Sequence, residues 1–149
     1  MFAHGQTFAG QPLAASVGLA VLREMTERDL ATKARANGEV LRGHLASINE
    51  ELGGIFGEVR GMGSLIGVEL VGGPGSAGQQ KQMDASIWGE LGAELKTTSL
   101  ENGLILRADA AGWFALAPAF CATEGELEEL AALLCQSLKD ARDRVVRSK

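Results

Sequence analysis

Residues 2–12, Phe-Ala-His-Gly-Gln-Thr-Phe-Ala-Gly-Gln-Pro, precede an uncharged run from Leu13 to Leu22. Proline favours the first turn of a helix, because its φ angle is already helical and its missing N–H is not needed there. The sequence therefore predicts a polar, glycine-containing loop that leads into a helix beginning at Pro12. Free backbone N–H groups and the helix dipole at such a start favour a phosphate, and the Thr7 hydroxyl adds a donor. A turn that binds nothing is the alternative, since glycine-rich turns before helices are common.

The uncharged run after Pro12 is predicted to form a buried helix. Leu13, Val17 and Val21 recur at helical spacing among small residues. The run is too short, and too interrupted by Gly18, to span a bilayer, so we predict no membrane partner. Its small residues would let a second backbone come close, as at a contact between domains or subunits.

Three further helices are predicted from apolar residues at helical spacing. The second helix begins near Thr26 and Asp29, a pair that resembles an N-terminal cap. The third covers residues 84–101. The fourth begins at Thr123 and Glu126, which have the spacing of a capping box.

Strand patterns lie between these helices. Ile66, Val68 and Leu70 alternate with other residues and predict a strand, and Val59 marks a second short strand piece before it. The glycines at 61 and 63 predict a bend or bulge between the two pieces.

A second pair of strands is predicted further along the chain. Leu104–Arg107 and Trp113–Ala117 flank a short turn, so we expect them to pair as a hairpin. The order of elements predicts one α+β domain over residues 1–149, in which a small, mainly antiparallel sheet packs against helices, with a long N-terminal helix.

The composition narrows the class of protein. The chain has 149 residues, 46% of them hydrophobic, which suits a single domain with its own core. Its net charge of −5 and pI near 5.1 argue against a nucleic-acid partner, which needs a clustered basic face. Cys121 and Cys135 are predicted to be free thiols of a cytoplasmic protein. His4 and His44 have no metal-ligand spacing with other residues, so no metal site is predicted.

Three segments, in the correct order, resemble class III pyridoxal-phosphate (PLP) aminotransferases, the omega-aminotransferase group of fold type I. Residues 4–12 resemble the signature H-G-x-T-(Y/F)-(S/A)-G-(H/Q)-P. Residues 59–70 resemble the strand V-R-G-x-G-L-x-x-G-(I/V)-E-L. Residues 103–107 and 116–120 resemble the ending G-L-(I/L)-x-R … (L/S)-x-P-P-(L/F), although Ala119 replaces its second proline.

The resemblance covers residues 2–147 and implies the C-terminal small domain of such an enzyme. It implies that the Thr7 hydroxyl and the backbone N–H of Gln6 bind the cofactor phosphate across a subunit interface. It also implies that Arg107 binds the substrate carboxylate and swings aside for an amine. A guanidinium fork pairs with a carboxylate through two hydrogen bonds. The alternative for Arg107 is a solvated side chain or an ion pair with Asp109.

PLP chemistry also needs a lysine that attaches the cofactor and an acidic residue at the pyridine nitrogen. In the family these come from a large domain that precedes the signature. None of the lysines matches the family's lysine motif, and all are predicted to be exposed: Lys33, Lys81, Lys96, Lys139 and Lys149.

We therefore expect a chain without its large domain, inactive alone and not retaining PLP, that forms a homo-oligomer, most simply a dimer. A non-catalytic, truncated or cassette-encoded module that self-associates is the alternative. Racemases and decarboxylases on the same fold are further alternatives for the reaction.

Overall fold

The described residues form four helices and four strands in an α+β order. The computed structural model describes residues 5, 7, 9–71 and 85–148, and in the third helix it describes side chains from Gly89 onward. The elements are α1 (Pro12–Glu27), α2 (Leu30–Glu51), β1 (Phe56–Met62), β2 (Leu65–Leu70), α3 (Ala85–Glu101), β3 (Arg107–Asp109), β4 (Trp113–Leu116) and α4 (Glu124–Arg147).

The strands form one antiparallel sheet in the order β1-β2-β4-β3. One row of paired residues runs across all four strands and consists of Val59, Val68, Phe114 and Ala108. This row belongs to the face that packs against the helices, and Phe114 in its middle is fully buried. The opposite face is more exposed, as strand alternation requires. The predicted α+β fold and its antiparallel sheet are confirmed.

The core lies between this sheet and the helices α2, α3 and α4. The apolar stripes predicted for these helices are buried in it, as Leu41 and Leu45 in α2, Leu91 and Leu95 in α3, and Leu127, Leu134 and Leu138 in α4. The rings of Phe56 and Phe114 meet edge to face with centroids 5.6 Å apart, a geometry that aromatic quadrupoles favour.

Helix α3 is fixed against α4 by polar contacts. The buried Thr98 hydroxyl donates to the carbonyl oxygen of Ser137 at 2.9 Å. Asn102 Nδ2 donates to Asp140 Oδ2 at 2.9 Å, and this bond, with a second from Gln136, holds the pKa of the Asp140 carboxyl below its ordinary value. These bonds fix the position of α3 along α4.

The first helix is not buried in this structure, so that prediction is wrong for the chain by itself. No residue of α1 is buried, and Leu13, Val17 and Leu22 are 71%, 57% and 62% exposed. Helix α1 packs chiefly against α2. An apolar pattern indicates that a helix face suits burial, but it does not say which chain or domain supplies the cover.

The predicted cap at Thr26 and Asp29 is also wrong. Thr26 lies inside α1, and its hydroxyl donates to the carbonyl oxygen of Leu22 at 2.9 Å, a bond that helical threonines commonly make. Asp29 precedes α2 with a φ of 45°, and its side chain makes no capping hydrogen bond. The capping box of Thr123 and Glu126 is confirmed at the start of α4.

Two strand boundaries differ from the prediction. The predicted bend between two strand pieces is the turn of a hairpin. Gly63 lies in this turn between β1 and β2, whereas Gly61 is still in β1 and pairs with Ile66. Strand β3 begins only at Arg107, and Leu104, where the strand was predicted to begin, completes the C-terminus of α3. Gly103, with a φ of 85°, and Leu104 donate their N–H groups to Leu100 and Ser99, the pattern of a Schellman motif.

No helix in the described ranges is long and apolar enough to cross a membrane.

Candidate functional site

The segment ahead of α1 exposes Thr7 and an uncapped helix start. Thr7 lies in a turn and is exposed, and Gln11 at the N-cap makes no side-chain capping bond. The free N–H groups of the first turn and the Thr7 hydroxyl are the donors that a phosphate needs, so the described residues fit that group. His4 and Gln6, the other residues singled out in this segment, lie outside the described residues.

Arg107 is the first residue of β3, an edge strand of the sheet. Its side chain is exposed, and its guanidinium carbon lies 5.4 Å from the centre of the Trp113 ring, over the ring. In the β3–β4 pair, Arg107 is opposite Ala115 and Asp109 is opposite Trp113. Arg107 and Trp113 are therefore diagonal neighbours on the more exposed sheet face, a separation that long and aromatic side chains bridge.

An ion pair between Arg107 and Asp109 is not found among the described residues. The Asp109 carboxylate instead accepts the N–H of Ala111 at 2.8 Å and closes the turn between β3 and β4. The Arg107 guanidinium thus lies over an indole ring rather than beside the Asp109 carboxylate. Sequence reasoning missed Trp113 as its neighbour, although the predicted hairpin already contained both residues.

Backbone contacts hold the β3–β4 turn from two sides. Gly92 and Gly89 of α3 lie against the carbonyl oxygens of Asp109 and Ala110, where an added Cβ would come closer than 3.0 Å. On the other side, the N–H of Leu70 donates to the carbonyl oxygen of Gly112 at 2.8 Å. The hairpin that carries Arg107 is therefore fixed to both α3 and β2.

The structure does not bring Thr7 and Arg107 together. Thr7 precedes α1, which packs chiefly against α2, whereas β3 packs against α3 and β4. Among the described residues no hydrogen bond or ion pair joins the two.

Two of the described lysines are held by hydrogen bonds. Lys33 is half-buried, not exposed as predicted, and donates to the carbonyl oxygen of Cys121 at 2.9 Å. Lys139 is also half-buried and pairs with Glu51 at 2.6 Å, a hydrogen bond that raises the pKa of the lysine and keeps it protonated. A lysine nucleophile needs a lowered pKa. Lys96 is exposed, and Lys81 and Lys149 lie outside the described residues.

Both cysteines are free thiols, as predicted. Cys121 is exposed, and Cys135 is buried with its thiol 3.5 Å from Glu51 Oε2. Burial is the main reason that the pKa of the Cys135 thiol is raised. In the part of the chain that the structure describes, no group of histidine, cysteine and carboxylate side chains is arranged to hold a metal.

Comparison with known families gives a match over most of the chain. The profile of the class III aminotransferases matches residues 1–139. The chain belongs to the class III aminotransferase family. Membership implies PLP as the cofactor of the family's full-length enzymes.

Relatives and solved structures agree with this family. The chain is 31% identical over 147 residues to an uncharacterized aminotransferase of Sinorhizobium fredii, covering 98% of this chain and 30% of the relative. It is 30% identical over 135 residues to an acetylornithine aminotransferase of Synechocystis, covering 91% of this chain and 28% of the relative. The omega transaminase of Pseudomonas jessenii in complex with PMP superposes with a TM-score of 0.80 at 29% identity, over 96% of this chain and 30% of that one. The chain thus spans about 30% of the length of its relatives.

Proposed function

We propose that this chain is the small-domain portion of a PLP-dependent aminotransferase that moves an amino group between an amine or amino acid and a keto acid. The observation that carries the proposal is the family match over residues 1–139, read with the exposed positions of Thr7 and Arg107. Their sequence motifs resemble those in which the family binds the cofactor phosphate and the substrate carboxylate. Both side chains are exposed, and Arg107 lies over the ring of Trp113.

Thr7 and Gln6 are proposed to hold the cofactor phosphate of the neighbouring subunit. The Thr7 hydroxyl and the Gln6 N–H would each donate a charge-assisted hydrogen bond, and the N-terminus of α1 adds its positive dipole end. When bound, PLP supplies the electron sink on which amino transfer depends. The role of this chain is to bind and orient the cofactor through the phosphate.

Arg107 is proposed to bind the carboxylate of an amino acid or keto acid. Its guanidinium is exposed and forms no ion pair among the described residues, so its donors are available. For an amine without a carboxylate, the flexible side chain moves aside. Amino transfer itself requires the large domain, which would supply the lysine and the acidic residue.

A large aminotransferase domain and a second copy of the chain are the proposed partners. The exposed apolar residues of α1, among them Leu13, Val17 and Leu22, form a surface that monomeric proteins usually cover. We propose a homodimer, inactive and without retained PLP until the large domain is present, acting in the cytoplasm, where free thiols such as Cys121 are typical.

The test is reconstitution. The chain is fused behind the large domain of a class III relative, and PLP absorbance and amino transfer are measured on the fusion and on the chain alone. We expect binding and turnover only in the fusion. A fusion that folds but binds no PLP, or turnover by the chain alone, contradicts the proposal.

A non-catalytic module that self-associates is the second candidate, and the exposed apolar face of α1 favours it. The DNA upstream of the codon for Met1 separates the two. A reading frame that continues into a large domain supports the enzyme. A stop codon followed by a ribosome-binding site supports the module.

A further inference from the structure

The guanidinium of Arg107 lies over the indole ring of Trp113. The guanidinium carbon lies 5.4 Å from the ring centre, within the distance at which a cation is attracted to an indole face. Trp113 is half-buried and Arg107 is exposed. The indole therefore forms a fixed surface on which a mobile side chain rests.

The backbone beneath Trp113 is held in place. The turn before it is closed by the N–H of Gly112, which donates to the carbonyl oxygen of Asp109 at 3.0 Å, and by the Asp109 carboxylate on Ala111. Gly112 has a φ of 79°, a conformation that glycine adopts without strain. Contacts from Gly92 and Leu70 fix the same turn to α3 and β2.

Stacking leaves the hydrogen-bonding edge of the guanidinium free. The five N–H donors of arginine lie in the plane of the group, whereas an aromatic ring contacts its flat face. A carboxylate can therefore pair with the edge while the indole covers one face. A stacked arginine also has fewer side-chain conformations to lose when the carboxylate binds, which raises affinity.

We propose that Trp113 is a positioning residue for Arg107, which holds the guanidinium stacked and ready to pair with a carboxylate. It acts through Arg107 and does not touch the substrate. The proposal rests on the proposed role of Arg107 and adds a determinant of preference for carboxylate-bearing substrates over simple amines.

The test is an NMR titration of the 149-residue chain labelled with ¹⁵N and ¹³C. Glutarate is the carboxylate probe, and glutaramide, its uncharged diamide, is the control at the same ionic strength. The Nε–Hε signal of Arg107 is assigned as the one missing in Arg107→Met. The variants Trp113→Leu and Trp113→Phe remove and retain the aromatic face.

We expect an upfield ring-current shift of the Arg107 side-chain signals in the parent, kept in Trp113→Phe and lost in Trp113→Leu. Because an exposed cation–π contact is weak, Trp113→Leu should raise the glutarate dissociation constant about two- to fivefold, and Trp113→Phe by less. A merely structural role for Trp113 does not predict this ring-current signature.

Two failures are distinguishable. If the backbone amide signals of β3 and β4 shift with glutarate in Arg107→Met as they do in the parent, both the proposed role of Arg107 and this inference are overturned. If Arg107→Met abolishes the response but Trp113→Leu binds like the parent, only the inference is overturned. If Trp113→Leu does not fold, the parent spectrum decides, because Arg107 signals without a ring-current shift contradict the stacking.

Discussion

Gly92 of α3 lies so close to the carbonyl oxygen of Asp109 that a Cβ at position 92 would approach it within 3.0 Å, a separation that real Cβ atoms essentially never show. The oxygen belongs to the backbone, so it yields only if the β3–β4 turn moves. We expect Gly92→Ala to lower the free energy of unfolding by about 1–3 kcal/mol, the usual range for overpacking. Urea unfolding followed by circular dichroism measures this.

Gly43 of α2 is the matched control, because a Cβ there would meet nothing within 4 Å. Gly43→Ala removes the entropic penalty of glycine in a helix and should stabilise the chain by about 0.5–1 kcal/mol. Equal effects of the two substitutions would show that the close contact at Gly92 has no energetic weight.

The capping box of α4 predicts a pH dependence of stability. Hydrogen bonds from the N–H and hydroxyl of Thr123, at 2.7 and 2.9 Å, hold the pKa of the Glu126 carboxyl below its ordinary value of 4.5. A carboxyl with a lowered folded-state pKa stabilises the fold above its unfolded pKa, and this contribution is lost as the pH falls through the folded pKa.

We therefore expect Glu126→Gln to be less stable than the parent at pH 7 and to approach it well below pH 4.5. Urea midpoints measured from pH 7 to pH 3 test this. Glu128→Gln, which removes an exposed carboxylate of the same helix outside the capping box, is the control for the loss of one charge. A deficit for Glu126→Gln that is constant with pH is the contradicting result.

The parts of the fold that sequence predicted are those encoded by nearby residues. The capping box of Thr123 and Glu126 needs only four consecutive residues, and the alternation of Ile66, Val68 and Leu70 states which strand face is buried. The sequence of α1 shows that the helix has apolar residues, but it does not show which surface would bury them. Thr26 failed as a cap because its hydroxyl has a local alternative, the carbonyl oxygen of Leu22.

Sequence motifs pointed to Thr7 and Arg107 as candidate site residues, but they did not point to the side chain that lies beside Arg107. Thr7 and Arg107 follow from their places in family signatures, but the stacking on Trp113 depends on strand register. The predicted strand Leu104–Arg107 was placed too early, since β3 begins at Arg107 and Leu104 belongs to the Schellman motif at Gly103. The contact of Gly92 with Asp109 joins α3 to β3, and neither segment has a sequence pattern that predicts it.

The exposed apolar residues of α1 lead us to expect that the chain self-associates. Leu13 and Val17 are exposed, one turn apart, on a helix without a buried residue. We expect light scattering at micromolar concentration to show a dimer or larger oligomer, and Leu13→Glu with Val17→Glu to shift it toward monomer, since charges oppose burial. Val146→Glu, at a 69% exposed site on α4, is the control and should leave the mass unchanged. A monomeric parent chain contradicts the prediction.

If Arg107 binds the substrate carboxylate, its replacement should weaken the binding of carboxylate-bearing substrates only. In the fusion with a large domain, Arg107→Ala removes charge-assisted hydrogen bonds worth about 1.5–3 kcal/mol, so KM for an amino acid or keto acid should rise about tenfold to a hundredfold. The KM for an amine without a carboxylate and the affinity for PLP should change little. Arg60→Ala, at an exposed arginine of β1, is the control. Equal losses with both substrate classes contradict a role for Arg107 in carboxylate binding.

If Thr7 binds the cofactor phosphate, its replacement should lower the affinity for PLP rather than the affinity for the substrate. In the same fusion, Thr7→Ala removes one charge-assisted hydrogen bond to the phosphate, and PLP affinity should fall by about one to two powers of ten. Thr7→Ser retains the hydroxyl and should cost much less. Thr97→Ala, at an exposed threonine of α3, is the matched control and should bind PLP as the parent does. The PLP absorbance that remains after dialysis gives the dissociation constants. Equal PLP affinity in Thr7→Ala and the parent would remove Thr7 from the cofactor site, whatever the result for Arg107.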